Sequence, residues 1–214
     1  MAAIAMLVLA TGSVSAATST NESPLGTVGV QKAEVSLGDL IADAVRSALG
    51  TDFAFVSASE LKERDAQIPK GLITTDDVTA FIAYTDDPIW KMKLTGKQVK
   101  QALERSIIIY PKNNLGFLQV SGLRFTYDPS QPPENRVTQV FIGEKGNKQL
   151  QDTTVYTVAM TSSMANGALG YWKIWSKDDV DKPTETTIPQ AIDQFLSGKS
   201  SVNYSTLNRI VAVK

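Results

Sequence analysis

The stretch Phe117-Leu118-Gln119-Val120-Ser121-Gly122-Leu123-Arg124-Phe125-Thr126-Tyr127-Asp128-Pro129 decides the fold. Leu118 and Val120, then Leu123, Phe125 and Tyr127, recur with the period of two that places side chains on one buried face of a strand. The phase changes at Gly122, which predicts a bulge that re-aims the side chains after it. Pro129-Ser130-Gln131-Pro132-Pro133 then ends the ladder, because proline has no N–H to donate. Outward from this turn, Val137 to Ile142 reads as a partner strand, Gly143 to Asn147 as a hairpin loop, Val155 to Met160 as a further strand and Arg209 to Val213 as a closing one.

Upstream the period changes from two to 3.6. Leu37, Leu40, Ile41, Ala44, Val45, Ala48 and Leu49 lie on one helical face, with Ser36 as the expected cap and Gly50 as the stop. Phe53 to Val56 reads as a short buried strand, and the turn Pro69-Lys70-Gly71 leads to a helix capped by Thr74 or Thr75. Asp76 and Asp77 are neighbours on that helix, so their side chains diverge by about 100° and complement the helix dipole rather than form an acid pair. Ile89 to Leu94 alternates as a strand, Thr95 caps a helix carrying Val99, Ala102 and Leu103, and Ile188 to Leu196 forms a helix with Pro189 in its first turn. Hairpin-linked strands mixed with separate helices predict an α+β fold, a mixed sheet with helices packed on it.

The chain has 214 residues and a formal net charge of -1, with no histidine and no cysteine. Near-neutral, interspersed charge gives no basic field for a phosphate backbone, so nucleic acid is not an expected partner. Without histidine there is no Ser-His triad, and the commonest metal ligand is missing; without cysteine there is no disulfide, thiolate nucleophile or Cys-ligated zinc. Ala2 to Ala10 is an apolar run too short to span a bilayer, and Val14-Ser15-Ala16 has the small-x-small form of a signal-peptidase site. The expected organisation is a signal peptide over 1–16, a linker over 17–27 and one domain over 28–214, exported and without a membrane span after cleavage.

Several blocks, in order, carry a family resemblance. They are Glu34 with Leu37 to Arg46, Ile68-Pro69-Lys70-Gly71-Leu72-Ile73-Thr74, Leu94-Thr95-Gly96 with Val99, Ala102, Leu103 and Glu104, the strand quoted above, and Ala165-Asn166-Gly167-Ala168-Leu169-Gly170-Tyr171. Together they cover roughly residues 28 to 175, and their shared order is more specific than any one block. The chain resembles the C-terminal, substrate-binding domain of exported bacterial 5'-nucleotidases. The resemblance implies the same α+β fold and a catalytic half elsewhere, since the family's two-metal site sits in a separate metallophosphatase domain built on histidine, aspartate and asparagine. No cofactor is expected in this chain; divalent metals would enter only through a separate metallophosphatase partner.

The resemblance also implies where a ligand would sit. The family holds a purine between two aromatic side chains. The first falls on Thr85 here, with Tyr84 adjacent and Asp87 at the family's asparagine; the second falls on Ser163, with Met164 the nearest large apolar group. In the glycine loop Asn166, Gly167 and Tyr171 remain, but Leu169 stands at the family's ribose-binding aspartate. The family's Asn-x-Gly-Gly-Ile-Arg corresponds to Ser57 to Lys62, where both glycines are replaced, Lys62 stands at the phosphate-facing arginine and Arg64 is close by. The expected ligand-binding set is therefore Lys62, Arg64, Tyr84, Thr85, Asp87, Ser163, Met164, Asn166, Gly167 and Tyr171. The residues themselves also allow a solvated helix with Glu60, Lys62, Glu63 and Arg64 outward, and Tyr171, Trp172 and Trp175 as core cover rather than a stacking platform. Asp178-Asp179-Val180-Asp181 lacks the spacing and glycine of a calcium loop. The expected function is an exported, non-catalytic binding or accessory module for a nucleotide, nucleoside or similar ligand. The alternative is the substrate-binding half of a split 5'-nucleotidase that hydrolyses nucleotides with a metallophosphatase subunit.

Overall fold

The computed structural model describes residues 17–143, 145–206 and 208–213, so the apolar run from Ala2 and the cleavage pattern at Ala16 lie outside the described residues. The first described element is a strand, β1 (Thr18–Asn21), which corrects the expected linker over 17–27. Its side chains are polar on both faces, so no hydrophobic alternation marks it, yet its backbone is paired on two sides. Leu25 and Thr27 are fully buried just after it, so the domain does not begin at residue 28.

Next come α1 (Ser36–Leu49) and β2 (Phe53–Ser57). The cap position of α1 is Val35 rather than Ser36, whose hydroxyl instead accepts from the Gly26 N–H at 3.0 Å. Gly50 ends the helix in the left-handed region, at φ 57° and ψ 46°. The Pro69 turn enters a short strand, β3 (Gly71–Thr74), before α2 (Thr75–Thr79), which Thr74 and Asp77 close with a reciprocal capping box. β4 (Ile89–Thr95) and α3 (Gly96–Ser106) follow, with Thr95 and Gln98 forming a second box.

The opening stretch is two strands, β5 (Leu118–Ser121) and β6 (Leu123–Tyr127), then β7 (Val137–Ile142) and β8 (Lys148–Gln149). The chain continues through β9 (Val155–Thr161), α4 (Ser162–Ala165), β10 (Val180–Lys182), α5 (Ile188–Ser197), β11 (Ser201–Val202) and β12 (Ile210–Ala212).

Among the described residues these strands form three sheets, ordered β10-β4-β9-β2-β5, β12-β6-β7-β8 and β11-β1-β3. The five-stranded sheet is mixed: β9 runs antiparallel to β4 and parallel to β2. α1 packs on β2 and β5 and against α5, and one cluster of buried apolar side chains joins the sheets and helices. The α+β expectation therefore holds.

Gly122 is a break rather than a bulge. It adopts φ +80°, and β5 and β6 on either side of it join different sheets. A Cβ built at Gly122 would lie 2.1 Å from the Asp52 carbonyl oxygen, so only glycine fits. Behind the break, the Arg209 guanidinium, 4% exposed, grips Asp43 at 2.8 and 3.0 Å and the Val120 carbonyl at 2.9 Å, with Asp39 at 3.6 Å. Glu34 accepts the backbone N–H groups of Arg209 and Ile210, which seats β12 beside β6. Gly122→Ala is expected to lower stability by about 2–4 kcal/mol, combining left-handed strain with a backbone clash. Urea unfolding checks this, and an unchanged midpoint would refute it.

Candidate ligand-binding site

β2 leaves its sheet at Ser57 and the chain makes one 3-10 turn, Ala58–Glu60. The Ala58 N–H donates to the Phe117 carbonyl at 2.7 Å and the Ser59 N–H to that of Leu115 at 3.0 Å, so the turn is pinned to the segment leading into β5. This rotates Glu60 inward, to 2% exposure, where the Thr161 hydroxyl at the end of β9 donates to its Oε1 at 3.0 Å. The segment Ala83 to Pro88 closes the opposite side. The Ala83 N–H donates to the Glu60 carbonyl, the Ser162 N–H to that of Pro88, and Asp87 accepts from the Ser162 hydroxyl and the Ser163 N–H.

A cavity of about 560 Å³ lies between these segments. Tyr84 and Leu115 line it while remaining 57% and 53% exposed, and Met164 and Leu169 supply further apolar wall. Leu169 holds φ +58°, a left-handed conformation rare for a bulky L residue, and its carbonyl is held by Arg105. Strain of this kind persists where the surroundings over-determine it, and it concentrates at binding sites.

The electrostatics of the cavity are one-sided. Glu60, Asp86 and Asp87 line it, and no lysine or arginine among the described residues does. Burial pushes the Glu60 carboxyl up from 4.5 to about 7; the Thr161 hydrogen bond opposes this, the Asp87 charge adds to it, and the Ser57 hydroxyl opposes it more weakly. Glu60 Oε2 is buried without a hydrogen-bond partner.

Of the residues expected from sequence, Tyr84, Asp87, Ser163 and Met164 meet at this cavity. Thr85 and Asn166 are exposed and line none of it, and Asn166 donates to the Ser162 carbonyl. Gly167 is buried at φ +89°, where a Cβ would strike Trp172. Tyr171 is fully buried, donates to the Gly116 carbonyl at 2.7 Å and stacks on Trp175 at 4.8 Å. It is a core residue, while Trp172 is 66% exposed. Lys62 is exposed and Arg64 lies over the Phe81 ring, 5.4 Å from its centroid; neither lines the cavity. The solvated helix over this segment is corrected at Glu60, which points in because the 3-10 turn ends there and the chain continues extended through Leu61. The expected set missed Ser59 and Glu60, which stand at the replaced glycine pair itself, Asp86 in the turn after Tyr84, and Leu115 just ahead of β5.

The other clusters have structural partners. Asp179 closes a capping box with Ser176, and Asp181 pairs with Lys93 at 2.6 Å. A larger cleft of about 860 Å³ lies beside α1, α5 and the segment after β11, but Arg46 and Arg209 there already bond Ser121 and Asp43. Among the described residues no group of three or more acidic side chains could hold a metal ion, and no helix is long and apolar enough to cross a membrane. The two-metal chemistry of the resembled family therefore finds no fitting donor set in the described residues.

Comparison with known proteins bears on the family and the fold. Residues 14–176 match the model of the family described as 5'-nucleotidase, C-terminal domain. The Trifunctional nucleotide phosphoesterase protein YfkN of Bacillus subtilis (strain 168) is 31% identical over 150 residues, which is 66% of this chain and 10% of that protein. The 5'-nucleotidase of Homo sapiens is 29% identical over 164 residues, 69% of this chain and 28% of that protein. The crystal structure of the 5'-nucleotidase precursor from Thermus thermophilus superposes with a TM-score of 0.80 at 27% identity, covering 93% of this chain and 40% of that one. The chain thus spans from a tenth to two fifths of the length of these relatives.

Glu60 has a measurable signature that needs no ligand. An acid whose pKa is raised on folding stabilises the fold fully below its unfolded value of 4.5 and loses that contribution as pH rises through about 7. Glu60→Gln keeps an acceptor for Thr161 but cannot ionise. Relative to the parent it should gain about 2–4 kcal/mol of stability between pH 4.5 and pH 8. Parallel denaturation of both proteins across that range checks this, and parallel stability curves would refute it.

Proposed function

The chain belongs to the 5'-nucleotidase C-terminal domain family, and from that membership we propose that it is a binding or accessory module that recognises a nucleoside, nucleotide or similar ring-bearing ligand. The observation that carries this reading is the cavity itself. It is built by the turn around Tyr84 and by the segment from Ser163 to Leu169, the two places where the resemblance puts the family's base-holding and ribose-holding elements. The scaffold blocks are retained while the gripping groups have changed: Thr85 and Ser163 stand where two rings are expected, and Leu169 where an acceptor is expected. Fold and site answer to separate constraints, so a kept frame with an altered pocket fits a changed ligand. Tyr84 offers one stacking surface in place of a sandwich.

Hydrolysis would belong to a metallophosphatase outside these residues, because this stretch brings no histidine and, among its described residues, no acidic cluster to hold a metal pair. We also propose that the module lies outside the cytoplasm, on the apolar run Ala2 to Ala10 and the Val14-Ser15-Ala16 cleavage pattern that follows it.

Calorimetry with adenosine, AMP and UDP-glucose tests the binding reading. Adenosine should bind with micromolar affinity, and Tyr84→Ala should weaken it about tenfold, the scale of one lost base–aromatic stack. No heat with any of the three would refute it. With added divalent metals the purified chain should release phosphate from AMP no faster than a heat-denatured control, and turnover above that control would overturn the accessory role. N-terminal sequencing of the exported protein should begin at Ala17; recovery of the uncleaved run would overturn export.

A further inference from the structure

We propose that the cavity beneath Tyr84 selects a ligand whose nitrogen heterocycle carries positive charge, with the Glu60 carboxylate as its counter-charge. The proposal rests on the reading of this cavity as the ligand site and assigns the chemistry of what enters it.

Three observations converge. The charged groups lining the cavity are all acids, Glu60, Asp86 and Asp87. Glu60 among them is no surface acid: it is only 2% exposed and its Oε2 has no hydrogen-bond partner. A buried acceptor left unpaired costs free energy that a ligand donor or cation would recover. Lys62, Arg64 and Arg105 line none of the cavity: Arg64 lies over Phe81, and Arg105 bonds the Leu169 carbonyl and lines a separate cleft with Gly170.

The apolar wall completes the match. Tyr84 offers an exposed ring face, and a cation over such a face gains from the ring quadrupole as well as from the carboxylates. Leu115 and Leu169 then cover the rest of a flat ring. A phosphate in the same space would meet three acids and no cation, so like-charge repulsion disfavours it. Glu60 occupies the second glycine position of the Asn-x-Gly-Gly-Ile-Arg pattern, so one replacement supplies the buried acid.

The test uses the full chain at pH 7.5 and three probes: adenosine, AMP and 1-methyladenosine, whose base is cationic at neutral pH. We expect 1-methyladenosine to bind at least tenfold more tightly than adenosine, and AMP more weakly than adenosine. Glu60→Gln should remove most of the cationic preference, read as the ratio of 1-methyladenosine to adenosine affinity in the variant against the same ratio in the parent. Asp86→Asn, on the exposed rim, should reduce the preference by a smaller factor without disturbing the fold. Equal binding of adenosine and 1-methyladenosine, tighter binding of AMP, or a cationic preference that survives both substitutions would overturn the proposal while leaving the ligand site standing. Absence of heat with all three probes would overturn both.

Discussion

The fold depends on a single backbone position that no L side chain can occupy. Gly122 inverts the chain at φ +80° against the Asp52 carbonyl, and this lets one continuous segment serve two sheets. Before the break, β5 closes the five-stranded sheet, and Gln119 reaches from it to the Val30 and Ala33 carbonyls and the Val35 N–H, fixing the approach to α1. After the break, β6 is free to pair with β7 and β12. The cavity beside Tyr84 follows from the same geometry, because Phe117 and Leu115, just ahead of β5, hold the turn that delivers Glu60.

Two buried acids sit in this framework under different electrostatic conditions. Asp39 lies beside Arg209, yet burial dominates and pushes it up to about 9, with Arg209 pulling down and Glu34 and Asp43 adding to the rise. Arg209 is shared among Asp43, Asp39 and the Val120 carbonyl, so its charge is spread over a structural seam. A buried cation with good hydrogen-bond geometry specifies register even where its net stabilisation is small. Glu60 has no such cation. Its neighbours are hydroxyls and another acid, so its charge is met by no fixed cation in the cavity lining.

The sequence was most legible where order is local. Thr95 as the cap of α3, Gly50 after α1, and the alternation of Val137 to Ile142 each depend on residues a few positions apart, and each takes the expected form. Local pattern failed where long-range pairing decided the outcome. β1 is polar on both faces and exists because β3 and β11 flank it. The Ser36 hydroxyl accepts from the Gly26 N–H instead of capping α1. At the cavity, Tyr84, Asp87, Ser163 and Met164, the residues the resemblance pointed to, share one lining although they lie on two separate segments. Glu60 was not legible, because a charged residue amid Lys62, Glu63 and Arg64 looks solvated unless the chain turns just before it.

The pairing of β1 with β11, and of β12 with β6, joins segments far apart in the sequence. Such topology makes folding slow relative to chains dominated by near-neighbour contacts. On a ribosome, the sheet edges at β1 and β6 would stay uncovered until almost the last residues of this stretch emerge. A nascent chain would therefore carry two open strand edges until this stretch is nearly complete.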